Sequence, residues 1–150
     1  MKDQPSRSPE NAKALHLQGF NCSQAVFSTL AEPLGFDPSL ARKIASPFGG
    51  GIGRTGETCG AVSGALMALG LQSGFDEPDP QAKDRVYALA REFMRRFQEG
   101  YGSVTCKVLI GADISTPEGL QKAREQDVFN TKCAQFISGA VEIAEEMLFE

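Results

Sequence analysis

Four short polar side chains, each followed directly by a proline, predict where four helices of this chain begin. These dipeptides are Ser8-Pro9, Asp37-Pro38, Asp79-Pro80 and Thr116-Pro117. A serine, threonine or aspartate side chain caps the first amides of a helix, and proline suits the first helical position because it has no amide hydrogen. Between these points apolar residues recur every three or four positions, and alternating runs of β-branched residues are absent. We therefore predict an all-α fold.

The same spacing predicts an irregular bundle of seven to eight short helices, with a glycine-rich loop before a central helix. The 150 residues are 41% hydrophobic, which is enough for the core of one domain over residues 1–150. Residues 1–7 are expected to form a flexible tail. The expected helices cover residues 9–18, 22–34, 38–46, 58–72, 80–99, 103–110, 117–126 and 130–148.

Charge and hydropathy exclude several classes of protein. The formal net charge is -4, so the attraction to phosphate that drives non-specific nucleic-acid binding is missing. The longest apolar stretch, Ala61 to Leu71, has about half the roughly 20 residues of a membrane-spanning helix. The first ten residues contain no apolar signal core. We expect a cytoplasmic protein that neither binds nucleic acid nor spans a membrane.

Glycine is concentrated in one segment, because nine of the sixteen glycines lie between Gly49 and Gly74. The loop before Thr58 can adopt left-handed conformations and bring its backbone close to a ligand. Its amides and the following helix N-terminus are candidates for binding an anion. No G-x-x-x-x-G-K-[ST] motif and no predicted strand accompany the glycines, so neither a P-loop nor a Rossmann site is predicted. The candidate ligand-binding residues are Gly50, Gly51, Gly53 and Gly60.

An alternative interpretation of part of this segment is helix packing. Gly60 and Gly64 would lie on one face of the helix that follows the loop, and would allow another helix to approach closely. We favour this interpretation for these two glycines.

Four cysteines, Cys22, Cys59, Cys106 and Cys133, each lie near a predicted helix start. No two of them form C-x-x-C, which argues against a thioredoxin motif, a zinc ribbon and a c-type haem attachment. At the first turn of a helix, the dipole and the unpaired amides favour the thiolate over the thiol. The predicted capping residues are Asn21, Thr58, Ser103 and Asn130, with Cys22 and Cys59 first in their helices and Cys106 and Cys133 third. The alternative is that the cysteines fill the core, which suits Cys133 because it shares an apolar stripe with aromatic neighbours.

The segments N-C-S-Q-A-V, F-G-G-G-I-G-R-T-G-E-T-C-G-A-V-S-G-A-L-M-A-L-G-L, C-K-V-L-I-G-A-D and K-C-A-Q-F carry a resemblance to a known family. From roughly Gly19 to Ala144 the chain resembles the redox-active family named for its C-GCAxxG-C-C cysteine signature. The four cysteines match the signature, and Cys59, Gly60, Ala61 and Gly64 match its Cys-Gly-Ala-x-x-Gly core. Many relatives carry a further cysteine where this chain has Ala112, so a site of five thiols is not expected. The resemblance implies a small redox-active or metal-binding protein.

Three hypotheses follow for function. The first is a thiol-dependent oxidoreductase whose cysteines cycle between dithiol and disulfide, exchanging two electrons with a redox partner protein or a small-molecule reductant. At least one pair should then have Cα atoms about 4.4 to 6.8 Å apart, and Cys59 is the predicted attacking thiol because glycines leave it accessible. The second is a binding module in which Cys22, Cys59, Cys106 and Cys133 hold zinc or an iron–sulfur cluster. The third is an anion site at the glycine loop, and a homodimer is the default assembly.

A few charged residues have two interpretations each. Glu57 could act as an acid or base, but we favour an electrostatic role as an anion near the helix N-terminus that it precedes. His16 could be a ligand, but we favour a role as a cation near a helix C-terminus. Arg54 is either solvated or steadies an anion. The basic residues are Arg91, Arg95 and Arg96. The simplest interpretation is that they form the solvent-exposed face of an amphipathic helix, and the alternative is that they form a docking patch for a redox partner.

Overall fold

The computed structural model describes residues 8–149, and both the predicted tail over residues 1–7 and Glu150 lie outside them. Within that range the fold is all-α, as predicted, and the predicted helices are confirmed with small shifts at their ends. The helices are α1 (Ser8–Leu17), α2 (Cys22–Ala31), α3 (Pro38–Ala45), α4 (Gly60–Ser73), α5 (Pro80–Tyr101), α6 (Cys106–Ile110), α7 (Pro117–Glu125) and α8 (Lys132–Phe149).

Three of the four predicted helix starts have the expected capping geometry, while Ser8 is itself the first residue of α1. The Asp37 side chain accepts from the amide of Ser39, and the Thr116 side chain accepts from the amide of Gly119. Asp79 accepts from two first-turn amides of α5. Each cap satisfies donors that the helix leaves unpaired, and so fixes where the chain turns into its next helix.

The core forms around α4, which packs against α2 on one side and α8 on another. Helix α1 packs against both α2 and α8. The predicted packing role of Gly60 and Gly64 is confirmed, since a Cβ atom at Gly64 would lie 2.7 Å from the backbone oxygen of Ser23. Among residues 8–149, no helix is both long enough and apolar enough to cross a bilayer.

The loop between α3 and α4 contains one irregular turn, Gly49–Ile52. Gly50, Gly51 and Gly53 all have positive φ angles, between +62° and +63°. This is the left-handed region, where a residue without a Cβ atom has no steric penalty. The predicted glycine-rich loop before a central helix is therefore present.

Candidate functional site

All four cysteines line one cavity of about 660 Å³. Three of them are almost inaccessible, with exposed fractions of 5% for Cys59, 8% for Cys106 and 6% for Cys133. Cys22 is half-buried, and all four carry free thiols. The fold therefore gathers side chains that are far apart in the sequence into a single recessed site.

Each cysteine lies at the N-terminal end of a different helix. Cys22 is the first residue of α2, Cys59 immediately precedes α4, Cys106 is the first residue of α6 and Cys133 is the second of α8. The capping box predicted at Asn21 is confirmed, because its side chain accepts from the Gln24 amide at 2.9 Å while Gln24 accepts from the Asn21 amide at 3.0 Å.

The other three predicted caps are wrong by one or two positions. Cys59 itself is the N-cap residue of α4, in place of Thr58, and Thr105 is the N-cap residue of α6, in place of Ser103. Helix α8 begins at Lys132, which makes Cys133 the second residue and not the third. The first two shifts have a common cause, because Thr58 and Thr105 pair with each other in a short antiparallel bridge.

This bridge holds Cys59 and Cys106 on neighbouring backbone segments. The Cys59 amide donates to the Val104 carbonyl at 2.8 Å, and the Cys106 amide donates to the Glu57 carbonyl at 2.5 Å. A third bond runs from the Lys107 amide to Gly56. The starts of α4 and α6 are thus tied together by main-chain hydrogen bonds, which fixes where their thiols can lie.

The glycine loop closes against the same pair of helix starts. A Cβ atom at Gly51 would lie 2.7 Å from the Cβ atom of Cys106, so only glycine allows this approach. Amides from this loop donate to its own carbonyls, as Gly53 does to Gly49 at 2.7 Å and Glu57 to Gly51 at 3.1 Å. Gly50, Gly51, Gly53 and Gly60 all line the cavity. Their role in binding a ligand stays a prediction.

Cys22 and Cys133 interact with each other directly. A hydrogen bond between their side chains raises the pKa of Cys22 and lowers the pKa of Cys133. These opposite directions mean that Cys22 keeps its proton and donates it towards Cys133, whose sulfur is the better thiolate. The pKa of Cys22 is raised further by burial and by the other three cysteines.

Burial opposes the expected acidity of the other two thiols. Desolvation raises the pKa of Cys59 to about 11. The amides of Ala61 and Val62 act in the opposite direction by weak hydrogen bonding to the sulfur, although the Cys59 side chain does not form a regular cap. Desolvation also raises the pKa of Cys106 to about 12. The expectation of a thiolate at every helix start therefore fails for three of the four cysteines: Cys22 donates its proton to Cys133, and burial raises the pKa of Cys59 and Cys106. The predicted accessibility of Cys59 is also wrong.

The thiols do not form a preorganised metal site. Over the described part of the chain, no three histidine, cysteine, aspartate or glutamate side chains are placed to hold a metal ion.

Two arginines and the single histidine also line the cavity. Arg54 and Arg124 are exposed, and His16 is half-buried. The two ring nitrogens of His16 lie 2.9 Å from the Phe20 carbonyl oxygen and 2.8 Å from that of Phe129. His16 also lies in the last turn of α1, as predicted. Sequence reasoning missed Arg124, because nothing in the local pattern of α7 connects it with the cysteines.

The remaining predicted residues lie outside the thiol chemistry. Glu57 is exposed and its carboxylate lies 3.7 Å from the Lys107 ammonium. Arg95 and Arg96 are paired with Glu92 at 2.7 and 2.9 Å, which agrees with a solvated helix face. These ion pairs neutralise much of the proposed docking patch.

Comparisons with known proteins agree with the resemblance seen in the cysteine-containing segments. Residues 20–147 match the family described as "Putative redox-active protein (C_GCAxxG_C_C)". A protein from Archaeoglobus fulgidus, described as "Uncharacterized protein", is 30% identical over 131 residues, which is 82% of this chain and 81% of that protein. No solved structure matches the chain.

Proposed function

Because this chain belongs to the redox-active protein family with the C_GCAxxG_C_C signature, we propose that its four cysteines carry out thiol–disulfide electron transfer. The observation that carries this proposal is the single cavity that all four cysteines line, in which the pKa shifts of Cys22 and Cys133 show that these two thiols interact directly. Two thiols in contact, of which one is the better thiolate, are what a dithiol needs for stepwise exchange with a disulfide.

Cys133 is the proposed attacking thiol. Its thiolate attacks one sulfur of an oxidised partner, forming a mixed disulfide while the second sulfur of the partner leaves as a thiolate. Cys22 then attacks the Cys133 sulfur, and the Cys22 proton goes to the second departing thiolate. The partner gains two electrons and the protein gains one disulfide. This assigns to Cys133 the role predicted for Cys59, since burial raises the pKa of Cys59.

Cys59 and Cys106 form the proposed second pair. The Thr58–Thr105 bridge keeps their helix starts adjacent, and both thiols interact electrostatically with Cys133. Exchange between the pairs would reduce the Cys22–Cys133 disulfide and oxidise the two inner thiols. Such cycling requires reduced thiols, which fits the proposed location in the cytoplasm.

Stepwise oxidation of the reduced protein tests this order. After substoichiometric diamide and alkylation of the remaining thiols, peptide mapping should find the Cys22–Cys133 disulfide first and the Cys59–Cys106 disulfide later. Cys22→Ser should abolish the first product and leave the second. Absence of any intramolecular disulfide in the wild-type protein would overturn the proposal.

A second candidate function is the binding of a metal ion or an iron–sulfur cluster. It is favoured by the presence of four thiols around one cavity, the donor set that such clusters use. The side chains would have to move to bind it, because no three of the described residues are placed for a metal ion. Anaerobic purification followed by iron and zinc analysis and a visible spectrum separates the two candidates. Stoichiometric iron with cluster absorption would replace the thiol–disulfide proposal.

A further inference from the structure

We propose that the disulfide reduced or formed at this site belongs to a small anionic molecule, a low-molecular-weight disulfide that carries carboxylates or similar groups. This inference rests on the proposed thiol–disulfide function and names the substrate class of the same cavity.

The depth of the thiols favours a small partner over a protein. Cys133 is 6% exposed, and the two inner cysteines are equally recessed. A disulfide on a folded protein surface would have to enter the cavity to reach the Cys133 sulfur. In contrast, a volume of about 660 Å³ lies within the usual range for small-molecule sites, roughly 300 to 1,000 Å³.

The charges around the cavity select the sign of the ligand. Arg54 and Arg124 line it, and none of the aspartates and glutamates in the described part of the chain does. Neither arginine makes a salt bridge within residues 8–149, so both guanidinium groups are available to a carboxylate. The whole protein carries a net charge of -4, which makes this locally positive lining a distinct feature of the site.

The His16 ring also lines the cavity, and its two nitrogens lie 2.9 Å from the Phe20 carbonyl oxygen and 2.8 Å from that of Phe129. The apolar part of the wall, which includes Leu109, Ile114 and Phe136, suits the carbon chain of the ligand. The cavity therefore combines cations, apolar surface and a reactive sulfur.

The chemical step conserves atoms and electrons. One disulfide of the small molecule is broken, one protein disulfide forms between Cys22 and Cys133, and two small thiols leave, one of them as a thiolate. The two electrons come from the protein sulfurs, so no other oxidant or cofactor is required.

Two probes with opposite charges test the selectivity. Dithiodipropionate and cystamine have the same two-carbon arms on a disulfide, but they end in carboxylates and ammonium groups respectively. The rate of loss of protein thiols is measured with each probe, and the ratio of the two rates is divided by the same ratio for the urea-unfolded chain. This division removes the intrinsic reactivity of the two disulfides. We expect the corrected ratio to favour dithiodipropionate by about 10-fold or more, because the two guanidinium groups attract its carboxylates and repel the ammonium groups of cystamine.

Charge reversal identifies the side chains responsible. Arg54→Glu and Arg124→Glu should each lower the corrected ratio by about 10-fold. Arg91→Glu, an exposed arginine on α5 outside the cavity lining, makes the same change in net charge and should leave the ratio unchanged. Circular dichroism checks that each variant is folded.

The outcomes are distinct for the two proposals. Two results would overturn the proposal of an anionic substrate: a corrected ratio near one, or a change in that ratio that is as large for Arg91→Glu as for Arg54→Glu. Either result leaves the thiol–disulfide function in place if diamide still produces the Cys22–Cys133 disulfide. Failure of diamide to produce that disulfide would instead overturn the thiol–disulfide function itself.

Discussion

Burial and helix position shift the pKa of a cysteine in opposite directions, and the four thiols of this chain separate the two effects. Cys59 receives hydrogen bonding from first-turn amides, yet desolvation raises its pKa to about 11. Cys133 is also buried, but the donor thiol of Cys22 lowers its pKa. A specific hydrogen bond to the sulfur therefore outweighs desolvation here, whereas position at a helix N-terminus does not.

Cys22→Ala should raise the pKa of Cys133, because it removes the S–H donor that stabilises the Cys133 thiolate. Cys22→Ser provides the matched control, since its hydroxyl still donates a hydrogen bond. The pH dependence of Cys133 alkylation by iodoacetamide, followed by mass spectrometry of the Cys133 peptide, measures the change. Equal pKa values in the alanine variant and the wild-type protein would contradict the hydrogen-bonded pair.

Cys59→Ser should reduce the loss of stability at alkaline pH. The pKa of Cys59 rises from its ordinary value of 9.0 to about 11 on folding, so the stabilisation is complete below pH 9 and is lost as the pH passes through 11. The wild-type protein should lose about 2 to 3 kcal/mol more than the serine variant between these values. Serine is a good N-cap residue, so the variant should remain folded.

Urea unfolding at a series of pH values measures this difference. Parallel stability curves for the two proteins would show that the Cys59 thiol does not resist ionisation in the folded state.

Close contact between α2 and α4 depends on the absence of side chains at two glycines. Gly60 approaches the start of α2 and Gly64 approaches the backbone oxygen of Ser23. This contact brings Cys22 next to the residue that follows Cys59. The packing of the central helix therefore determines the spacing of thiols that are 37 positions apart in the sequence.

Gly64→Ala should destabilise the protein by about 1 to 3 kcal/mol, because the new methyl group would overlap backbone atoms of α2. Gly70→Ala, in the same helix, has no atom within 4 Å of the added Cβ and should be neutral or stabilise by up to about 1 kcal/mol. Thermal unfolding of the two variants makes the comparison. Equal destabilisation by both substitutions would mean that helix contact is not the cause.

Local sequence signals predict the helices well and the joints between them poorly. Asp37, Asp79 and Thr116 act on amides within three residues, so their pattern is sufficient to locate α3, α5 and α7. The Thr58–Thr105 bridge joins segments 47 positions apart. Neither strand propensity nor a turn motif indicates this bridge. Because the bridge forms only when the chain folds, the sequence did not predict its effect on the caps of α4 and α6.

At the level of the whole molecule, the candidate site is a product of the tertiary structure. The cysteines were predictable as a set from their helix starts and from the family resemblance. The shared cavity was not, because it requires α2, α4, α6 and α8 to point their N-terminal ends at one place. Arg124 belongs to that cavity only through the position of α7, which no local pattern specifies.

Oxidation should stabilise the whole fold. A disulfide between Cys22 and Cys133 closes a loop of roughly 110 residues, and the chain-entropy model gives about 4 to 5 kcal/mol for such a loop. Urea unfolding of the reduced and oxidised protein measures the difference in the free energy of unfolding. The Cys22→Ser variant cannot form this disulfide, so it should not gain this stabilisation on oxidation. A lower stability of the oxidised wild-type protein would indicate that the disulfide distorts the native packing.

The positive φ angle of Arg54, +70°, has a consequence for engineering. A loop already rich in glycine holds a non-glycine residue in a backbone conformation that costs about 1 kcal/mol for an L side chain. Arg54→Gly would relieve that cost and give a sturdier protein, yet it would also remove a positive charge from the cavity. With the proposed anionic substrate, selection for thermal resistance alone would therefore favour variants that discriminate less well between ligands, a trade-off located at one residue.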